Sequence, residues 1–152
     1  MFEMLYITAL IAVVVDLYTK ALAVSKLKDA SVPLINDVLH FTYVENTGAA
    51  FGIFKNGNVF FVVVSILILA AIAAYLIKCK PSQKMVKIAA GLVVGGALGN
   101  LFDRIFRGFV VDFIDFRLIN YPVFNIADCC IVCGAILFAV WVIFFDKKDE
   151  EN

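Results

Sequence analysis

Four apolar runs, each long enough to cross a lipid bilayer, constrain this chain more than any other feature. They lie at about residues 4–24, 58–77, 88–106 and 124–145. At about 1.5 Å per residue, a helix of roughly 20 residues spans a hydrocarbon core of roughly 30 Å. Hydrophobic residues make up 63% of the 152 positions, which excludes an ordinary soluble domain. The sequence therefore predicts an all-α membrane protein with four transmembrane helices in a single domain, residues 1–152.

Lysines indicate how these helices are oriented. The connection between the second and third runs contains no acidic residue and four lysines, Lys78, Lys80, Lys84 and Lys87. Basic loops stay on the cytoplasmic side of a membrane. Lys147 and Lys148 follow the fourth run. We therefore predict that both termini are cytoplasmic and that the connections at 26–57 and about 107–123 lie outside.

The connection at 26–57 is too long for a simple turn. Its portion at 40–54 holds aromatic and β-branched residues typical of short strands that end at Gly turns. We therefore predict a small extracytoplasmic β-rich segment between helices 1 and 2. A long loop in a small protein is often functional, so we expect this segment to cover a binding site. The segment at 110–116 also has an extended, partly apolar pattern.

Small residues mark one face of the third run. Gly91, Gly95 and Gly99 recur every four residues, with Gly96 beside them. Small side chains let transmembrane helices approach closely. This face is therefore predicted to pack against another helix.

Asp112 and Asp128 lie between or at the ends of the last two apolar runs. Ionisable groups at a bilayer boundary are costly, rare and usually functional. Two carboxylates in a low-dielectric site titrate as a pair that shares one proton. Such a pair can take a proton from water while it hydrogen-bonds a scissile carbonyl. The two residues therefore predict an amide hydrolase that forms no acyl-enzyme.

Structural interpretations of the same two residues stay open. Asp112 could instead form an ion pair with Arg104. Asn125 and Asp128 have the N-cap and N3 spacing of a helix start. The helix dipole would then keep Asp128 ionised and leave the shared proton nearer Asp112.

Two further pairs of residues have both a structural and a functional interpretation. Asp16 and Lys20 are four residues apart on one helix, so they can pair while Lys20 reaches outward to the interface. Asn46 and Gly48 could contact an extended peptide backbone, but Asn-Thr-Gly is also common in turns. From the residues alone, the structural interpretation is favoured for both pairs.

Composition argues against several other kinds of site. Thirteen basic and thirteen acidic residues cancel, so no basic surplus is available to neutralise nucleic-acid phosphates. Cys129, Cys130 and Cys133 lack a second pair of metal ligands, and His40 is the only histidine. We therefore predict no metal and no cofactor, and we expect the cysteines to be small buried hydrophobic residues.

Two other classes of function also stay open. A small ion- or proton-coupled transporter would place ionisable residues in or near its spans, although these acids gather at one face and no repeat is visible. A membrane scaffold built on the glycine face would leave the cost of placing Asp112 and Asp128 unexplained.

Five sequence blocks carry a family resemblance. They are DLYTK at 16–20, VENTGAAFG at 44–52, GNLFDR at 99–104, GFVVDFIDF at 108–116 and FNIAD at 124–128. In this order and on four spans, they resemble the bacterial lipoprotein signal peptidases, also called signal peptidase II. The resemblance covers nearly the whole chain.

The resemblance implies an aspartic endopeptidase of the bacterial plasma membrane, with its active site near the extracytoplasmic face. Such an enzyme removes signal peptides from diacylglyceryl-modified prolipoproteins, cutting before the lipidated cysteine. It works among membrane lipids, and a cyclic peptide inhibitor of the globomycin type is expected to block it.

The resemblance also assigns roles to individual residues. The catalytic pair of the family falls on Asp112 and Asp128, and Asp16 and Lys20 match a pair that supports the first helix. The residues expected to line the substrate site or to hold the catalytic pair are Asn46, Gly48, Asn100, Arg104 and Asn125.

Overall fold

The computed structural model describes residues 2–28, 30–48 and 57–145. Four helices in these ranges are long and apolar enough to cross a membrane: α1 (Glu3–Lys26), α2 (Asn58–Cys79), α3 (Lys84–Phe106) and α4 (Ile126–Phe144). They confirm the four predicted spans, with ends that differ by a few residues. The side of the membrane on which the termini lie stays a prediction, and Lys147 and Lys148 fall outside the described residues.

The helix ends follow from local sequence. At the end of α2, Lys80 adopts a φ of 44° and its N–H donates to the Leu76 carbonyl. Pro81 follows, and proline cannot continue a helix. At the start of α4, Asn125 is extended and its side chain accepts a hydrogen bond from the Asp128 N–H. This capping arrangement fixes where α4 begins.

Helix α3 is the centre of the bundle, because glycines on two of its faces admit α1 and α4. A Cβ atom on Gly95 would lie 2.6 Å from the Ala12 Cβ of α1. A Cβ on Gly96 would collide with the Ala127 carbonyl of α4. The predicted packing of the glycine face against another helix is therefore confirmed. Gly96, on a second face of α3, allows the contact with α4.

Helix α2 is much less enclosed than the other three. None of its most apolar 18-residue stretch is buried, whereas half of the corresponding stretch of α3 is. Apolar side chains such as Val59 and Leu67 are largely exposed. In a bilayer, lipid tails would cover them.

A three-stranded antiparallel sheet, in the order β1-β2-β3, completes the fold. Its strands are β1 (Ser31–Ile35), β2 (Leu39–Asn46) and β3 (Val110–Phe116). The first two confirm the predicted β-rich segment between helices 1 and 2. The third is the segment predicted to be extended after α3, and a short 3₁₀ turn at Arg117–Ile119 follows it.

A small apolar core fixes the sheet to the end of the bundle. Val111 and Phe113 of β3 pack with Ala23 and Leu27 at the end of α1. Val111 is completely buried. The sheet therefore sits where α1 and α3 end and α4 begins, and this junction holds the polar residues of the candidate site.

Candidate active site

Asp112 is buried at the junction of the sheet and the helices, with 2% of its surface exposed. Its Oδ2 accepts a hydrogen bond of 2.8 Å from the Asn46 side chain. Its Oδ1 accepts one of 2.6 Å from the Asn125 side chain. Burial raises the pKa of Asp112 to about 7, and the nearby Asp128 charge adds to the rise, while the two amide hydrogen bonds oppose it.

Asp128 lies in the first turn of α4, where it forms a capping box with Asn125. The Asp128 N–H donates to the Asn125 Oδ1 over 2.9 Å, and the Asn125 N–H donates to the Asp128 Oδ2 over 3.2 Å. The predicted capping role of Asp128 is therefore confirmed. Its other oxygen, Oδ1, accepts a hydrogen bond of 2.8 Å from the Asn100 side chain. A carboxylate in the first turn of a helix interacts favourably with the helix dipole.

Asn125 connects the two acids. It is completely buried, and its side-chain N–H group donates to Asp112 while its backbone N–H donates to Asp128. The same side chain donates to the Asn100 Oδ1 over 3.1 Å. One residue therefore fixes both carboxylates and the amide that supports the second one.

Both acids open onto one cavity of about 280 Å³. Most of the residues predicted to form the site line this cavity, namely Asn46, Gly48, Asn100, Arg104, Asp112 and Asp128. Asn125 is not among the lining residues but contacts both acids. The structure thus brings together residues from β2, α3, β3 and α4 that are far apart in the sequence.

One wall of the cavity was not anticipated from the sequence. It consists of Val110 and the segment 121–124, whose Tyr121 and Phe124 rings lie edge to face with centroids 5.7 Å apart. A run of aromatic and apolar residues immediately before the FNIAD block was the available signal. These side chains give a polar cavity one apolar side.

Arg104 also lines the cavity and does not pair with Asp112 among the ion pairs of the described residues. The structural interpretation of Asp112 as its partner is therefore wrong. The Arg104 guanidinium stacks on the Phe61 ring of α2, 5.2 Å from the centroid. The Arg104 carbonyl accepts a hydrogen bond of 2.9 Å from the Asn58 side chain. Arg104 thus joins the start of α2 to the end of α3.

The predicted turn at Asn46 and Gly48 is confirmed, because the Gly48 N–H donates to the Asn46 Oδ1 over 3.0 Å. The same Asn46 side chain reaches Asp112 through its nitrogen. Turn formation and contact with the acid are therefore compatible. The remainder of the predicted covering segment, 49–56, lies outside the described residues, so its role as a cover stays a prediction.

Asp16 and Lys20 form the predicted pair, with 2.8 Å between the Lys20 Nζ and the Asp16 Oδ2. The expectation that Lys20 reaches outward is wrong, since its side chain is completely buried. Its Nζ donates to the Asn100 Oδ1 over 2.9 Å and lies 3.3 Å from Asp103. The Asp16 Oδ1 in turn accepts the Ala127 N–H of α4. This pair is therefore linked directly to the residues that hold the two acids.

The cysteines are free thiols and take no part in this site. Cys129 and Cys130 are half-buried, whereas Cys79 and Cys133 are exposed on the helix surfaces. The expectation of burial, made for Cys129, Cys130 and Cys133, is therefore wrong for Cys133. The two exposed cysteines lie on helices that would face lipid.

Comparison with known proteins identifies the family. The family model described as Signal peptidase (SPase) II matches residues 8–144. This chain belongs to the signal peptidase II family. The family is one of proteases, and the predicted resemblance is confirmed.

Individual relatives agree with this assignment. The lipoprotein signal peptidase of Clostridium acetobutylicum is 42% identical over 144 residues, covering 92% of this chain and 94% of its own. That of Halothermothrix orenii is 44% identical over 140 residues, covering 91% and 94%. A solved bacterial membrane enzyme superposes with a TM-score of 0.83 at 35% identity, covering 90% of this chain and 85% of its own. The likeness supports a multi-pass membrane protein with this fold.

Proposed function

We propose that this protein removes signal peptides from diacylglyceryl-modified prolipoproteins, cutting before the lipidated cysteine, with Asp112 and Asp128 as its catalytic pair. One observation carries the proposal: both carboxylates line one cavity and both are hydrogen-bonded to Asn125. The names of the relatives support the substrate class. The pair of acids supports an aspartic mechanism.

The two acids differ in a way that suits them for different tasks. Because burial raises the pKa of Asp112 to about 7, this residue holds a proton at pH values below about 7. Both oxygens of Asp128 accept hydrogen bonds, from Asn100 and from the Asn125 backbone, and we assign this carboxylate the role of base. A protonated and an ionised carboxyl group in one site are suited to act as acid and base.

In the proposed reaction, ionised Asp128 takes a proton from a water molecule, whose oxygen attacks the scissile carbonyl carbon. Protonated Asp112 donates a hydrogen bond to the carbonyl oxygen as negative charge develops there. When the tetrahedral intermediate collapses, the C–N bond breaks and the leaving nitrogen takes the proton held by Asp128. The pair returns to its starting state, and no covalent intermediate with the enzyme forms.

The other cavity residues would hold the substrate or the pair. Asn46, Asn100 and Asn125 hold the carboxylates through the hydrogen bonds described above. Arg104, in the cavity wall, would donate hydrogen bonds to backbone carbonyls of an extended peptide. Gly48, without a side chain, would let that peptide pass close to the turn.

The position of the cavity suits a substrate held in a membrane. It lies at one end of the bundle, at the end we predict to be extracytoplasmic from the lysines of the α2–α3 connection. A precursor anchored in the bacterial plasma membrane by its signal helix and its diacylglyceryl group would approach sideways through the lipid, where water still reaches the pair. A cyclic peptide of the globomycin type would compete for the same cavity.

The test is cleavage of a purified diacylglyceryl-modified prolipoprotein by the protein in detergent. We expect the lipidated precursor to be cut and the same precursor without the lipid to remain intact. Asp112→Asn and Asp128→Asn should each slow cleavage at least about 1000-fold, since each removes one member of an acid–base pair.

Asp115→Asn is the matched control, because Asp115 lies on the same strand but pairs with Arg117, 2.8 Å away, and does not line the cavity. It should cut at close to the wild-type rate. Full activity in either catalytic variant would exclude the proposed pair. If the wild type leaves the lipidated precursor intact, the substrate proposal fails, and an ion-flux assay would then test the transporter alternative.

A further inference from the structure

Asp103 is a buried carboxylate that the proposed reaction does not use. It lies near the end of α3, its side chain is completely inaccessible, and it is absent from the cavity wall. Two cations contact it: the Lys20 Nζ lies 3.3 Å from Oδ2, and the Arg107 Nε lies 2.8 Å from Oδ1. A buried charge with such partners is costly to disturb, because removing one partner leaves the others uncompensated.

The first connection from Asp103 to the catalytic pair runs through the backbone. The Asp103 Oδ2 accepts a hydrogen bond of 3.0 Å from the N–H of Val111. Val111 directly precedes Asp112 and is itself completely buried. Its carbonyl accepts a hydrogen bond of 3.3 Å from the Asn125 side chain. Both polar backbone groups of Val111 are thus held by side chains of the site.

The second connection runs through Lys20. Its Nζ donates to the Asn100 Oδ1, and the Asn125 side chain donates to the same oxygen. With two donors on its oxygen, the Asn100 amide must present its nitrogen to the Asp128 Oδ1. Asp103 and Asp16 hold Lys20 from two sides. Asp103 therefore influences the orientation of the amide that contacts Asp128.

We infer that Asp103 is a positioning residue that sets the geometry of both catalytic carboxylates, of Asp112 through the Val111 backbone and of Asp128 through Lys20 and Asn100. The inference rests on the proposed function. It assigns Asp103 no contact with the substrate and no proton transfer.

The experiment measures kcat and KM for the diacylglyceryl-modified prolipoprotein with Asp103→Ala and Asp103→Asn, beside the wild type and Asp115→Asn. Asp103→Ala removes the negative charge and the hydrogen-bond acceptor for the Val111 N–H. Because a small misplacement of catalytic groups costs about 100-fold in rate, we expect kcat to fall about 100-fold. Asp103→Asn keeps an acceptor oxygen, so we expect kcat to fall only about 10-fold. Since Asp103 does not line the cavity, KM should stay within about threefold of the wild-type value in both variants.

The pH–rate profile separates positioning from a loss of folded protein. Removing the Asp103 charge leaves a more positive environment, which favours ionised carboxylates. We therefore expect the profile of Asp103→Asn to move to lower pH by about half a unit or more. The titratable and charged groups on the elements around the pair include Asp16 and Lys20 of α1, His40, Tyr43 and Glu45 of β2, Asp103, Arg104 and Arg107 of α3, Asp115 of β3, Tyr121 of the cavity wall, and Cys129 of α4.

The outcomes distinguish this inference from the function on which it rests. If the wild type does not cut the precursor, the proposed function fails. If the wild type cuts, and Asp103→Asn has the wild-type kcat and pH profile, the positioning role is excluded. If the pH profile is unchanged and kcat falls only in proportion to the folded fraction measured by size-exclusion chromatography, Asp103 has a structural role only. Should Asp103→Ala fail to fold, Asp103→Asn decides, since it keeps the side-chain volume and the acceptor.

Discussion

Helices α2 and α3 differ in length by only one residue, 22 against 23, but have opposite environments. Between Val59 and Ala74, Ser65 is the only polar residue of α2, and none of the most apolar stretch of α2 is buried. Helix α3 interrupts its apolar pattern with glycines and with Asn100 and Asp103, and half of the corresponding stretch is buried. The more apolar helix is therefore the less enclosed one.

The difference in burial between α2 and α3 follows from the lipid that surrounds transmembrane helices. Lipid tails are as apolar as leucine, so apolar side chains alone do not drive transmembrane helices together. Transmembrane helices associate through close packing at small residues and through hydrogen bonds between polar residues. On α3, a residue that allows close packing lies next to a residue that forms hydrogen bonds. A Cβ on Gly99 would collide with Asp16 of α1, and the next residue is Asn100. The residues that assemble the bundle therefore also bring the candidate catalytic groups together.

The largest expected difference between the two helices concerns their polar side chains. Asn100→Ala removes the hydrogen bond to Asp128 and the acceptor for Lys20, and it leaves that buried cation with a partner missing. We expect cleavage of the lipidated precursor to slow about 100-fold. The matched change on α2, Ser65→Ala, should alter the rate less than twofold. Comparable losses in both variants would mean that the comparison between α2 and α3 is wrong.

A smaller effect is expected from the small residues. Gly95→Val would place side-chain atoms against Ala9 and Ala12 of α1, and overpacking of this kind costs about 1–3 kcal/mol. Ala74→Val on the exposed surface of α2 should change stability by less than about 0.5 kcal/mol. Thermal unfolding in detergent, followed by circular dichroism, measures both. Equal midpoints for the two variants would show that the glycine face does not control packing.

Some of this arrangement is readable in the sequence, because it depends on local patterns. Helix length follows from the apolar runs, and the capping box at Asn125 and Asp128 follows from their spacing. The turn at Asn46 and Gly48 is likewise local. Each of these features involves residues within a few positions of one another, where spacing alone limits the possible geometry.

Long-range contacts could not be read in this way. The antiparallel pairing of β2 with β3 sets Asn46 opposite Val110, and from there its side chain reaches Asp112, 66 positions away in the sequence. No local signal specifies that register. The burial of Lys20 was mispredicted for a similar reason. A cation near a helix end ordinarily extends to the interface, but here Asp16, Asp103 and Asn100 compensate its charge from distant parts of the chain.

The last expected effect is the contribution of the polar junction to the dependence of stability on pH. The α2 stretch from 58 to 77 contains no Asp, Glu, His, Lys or Arg, so it contributes no such dependence between pH 4 and 7. Asp112 does contribute, since its pKa rises from 3.8 to about 7 on folding. Over this range the folded state binds more protons at Asp112 than the unfolded state does, so stability falls as pH rises.

Asp112→Asn removes this titration while it keeps the size of the side chain. The wild-type unfolding midpoint should therefore fall between pH 4.5 and 7.5 by at least about 3 °C more than that of the variant, since 1 kcal/mol corresponds to about 2–4 °C for a chain of this size. Other acids titrate in both proteins, so the difference between the two curves isolates Asp112. Parallel curves would mean that Asp112 is ionised in the folded protein at pH 4.5. The assignment of Asp112 as the acid of the pair would then be wrong.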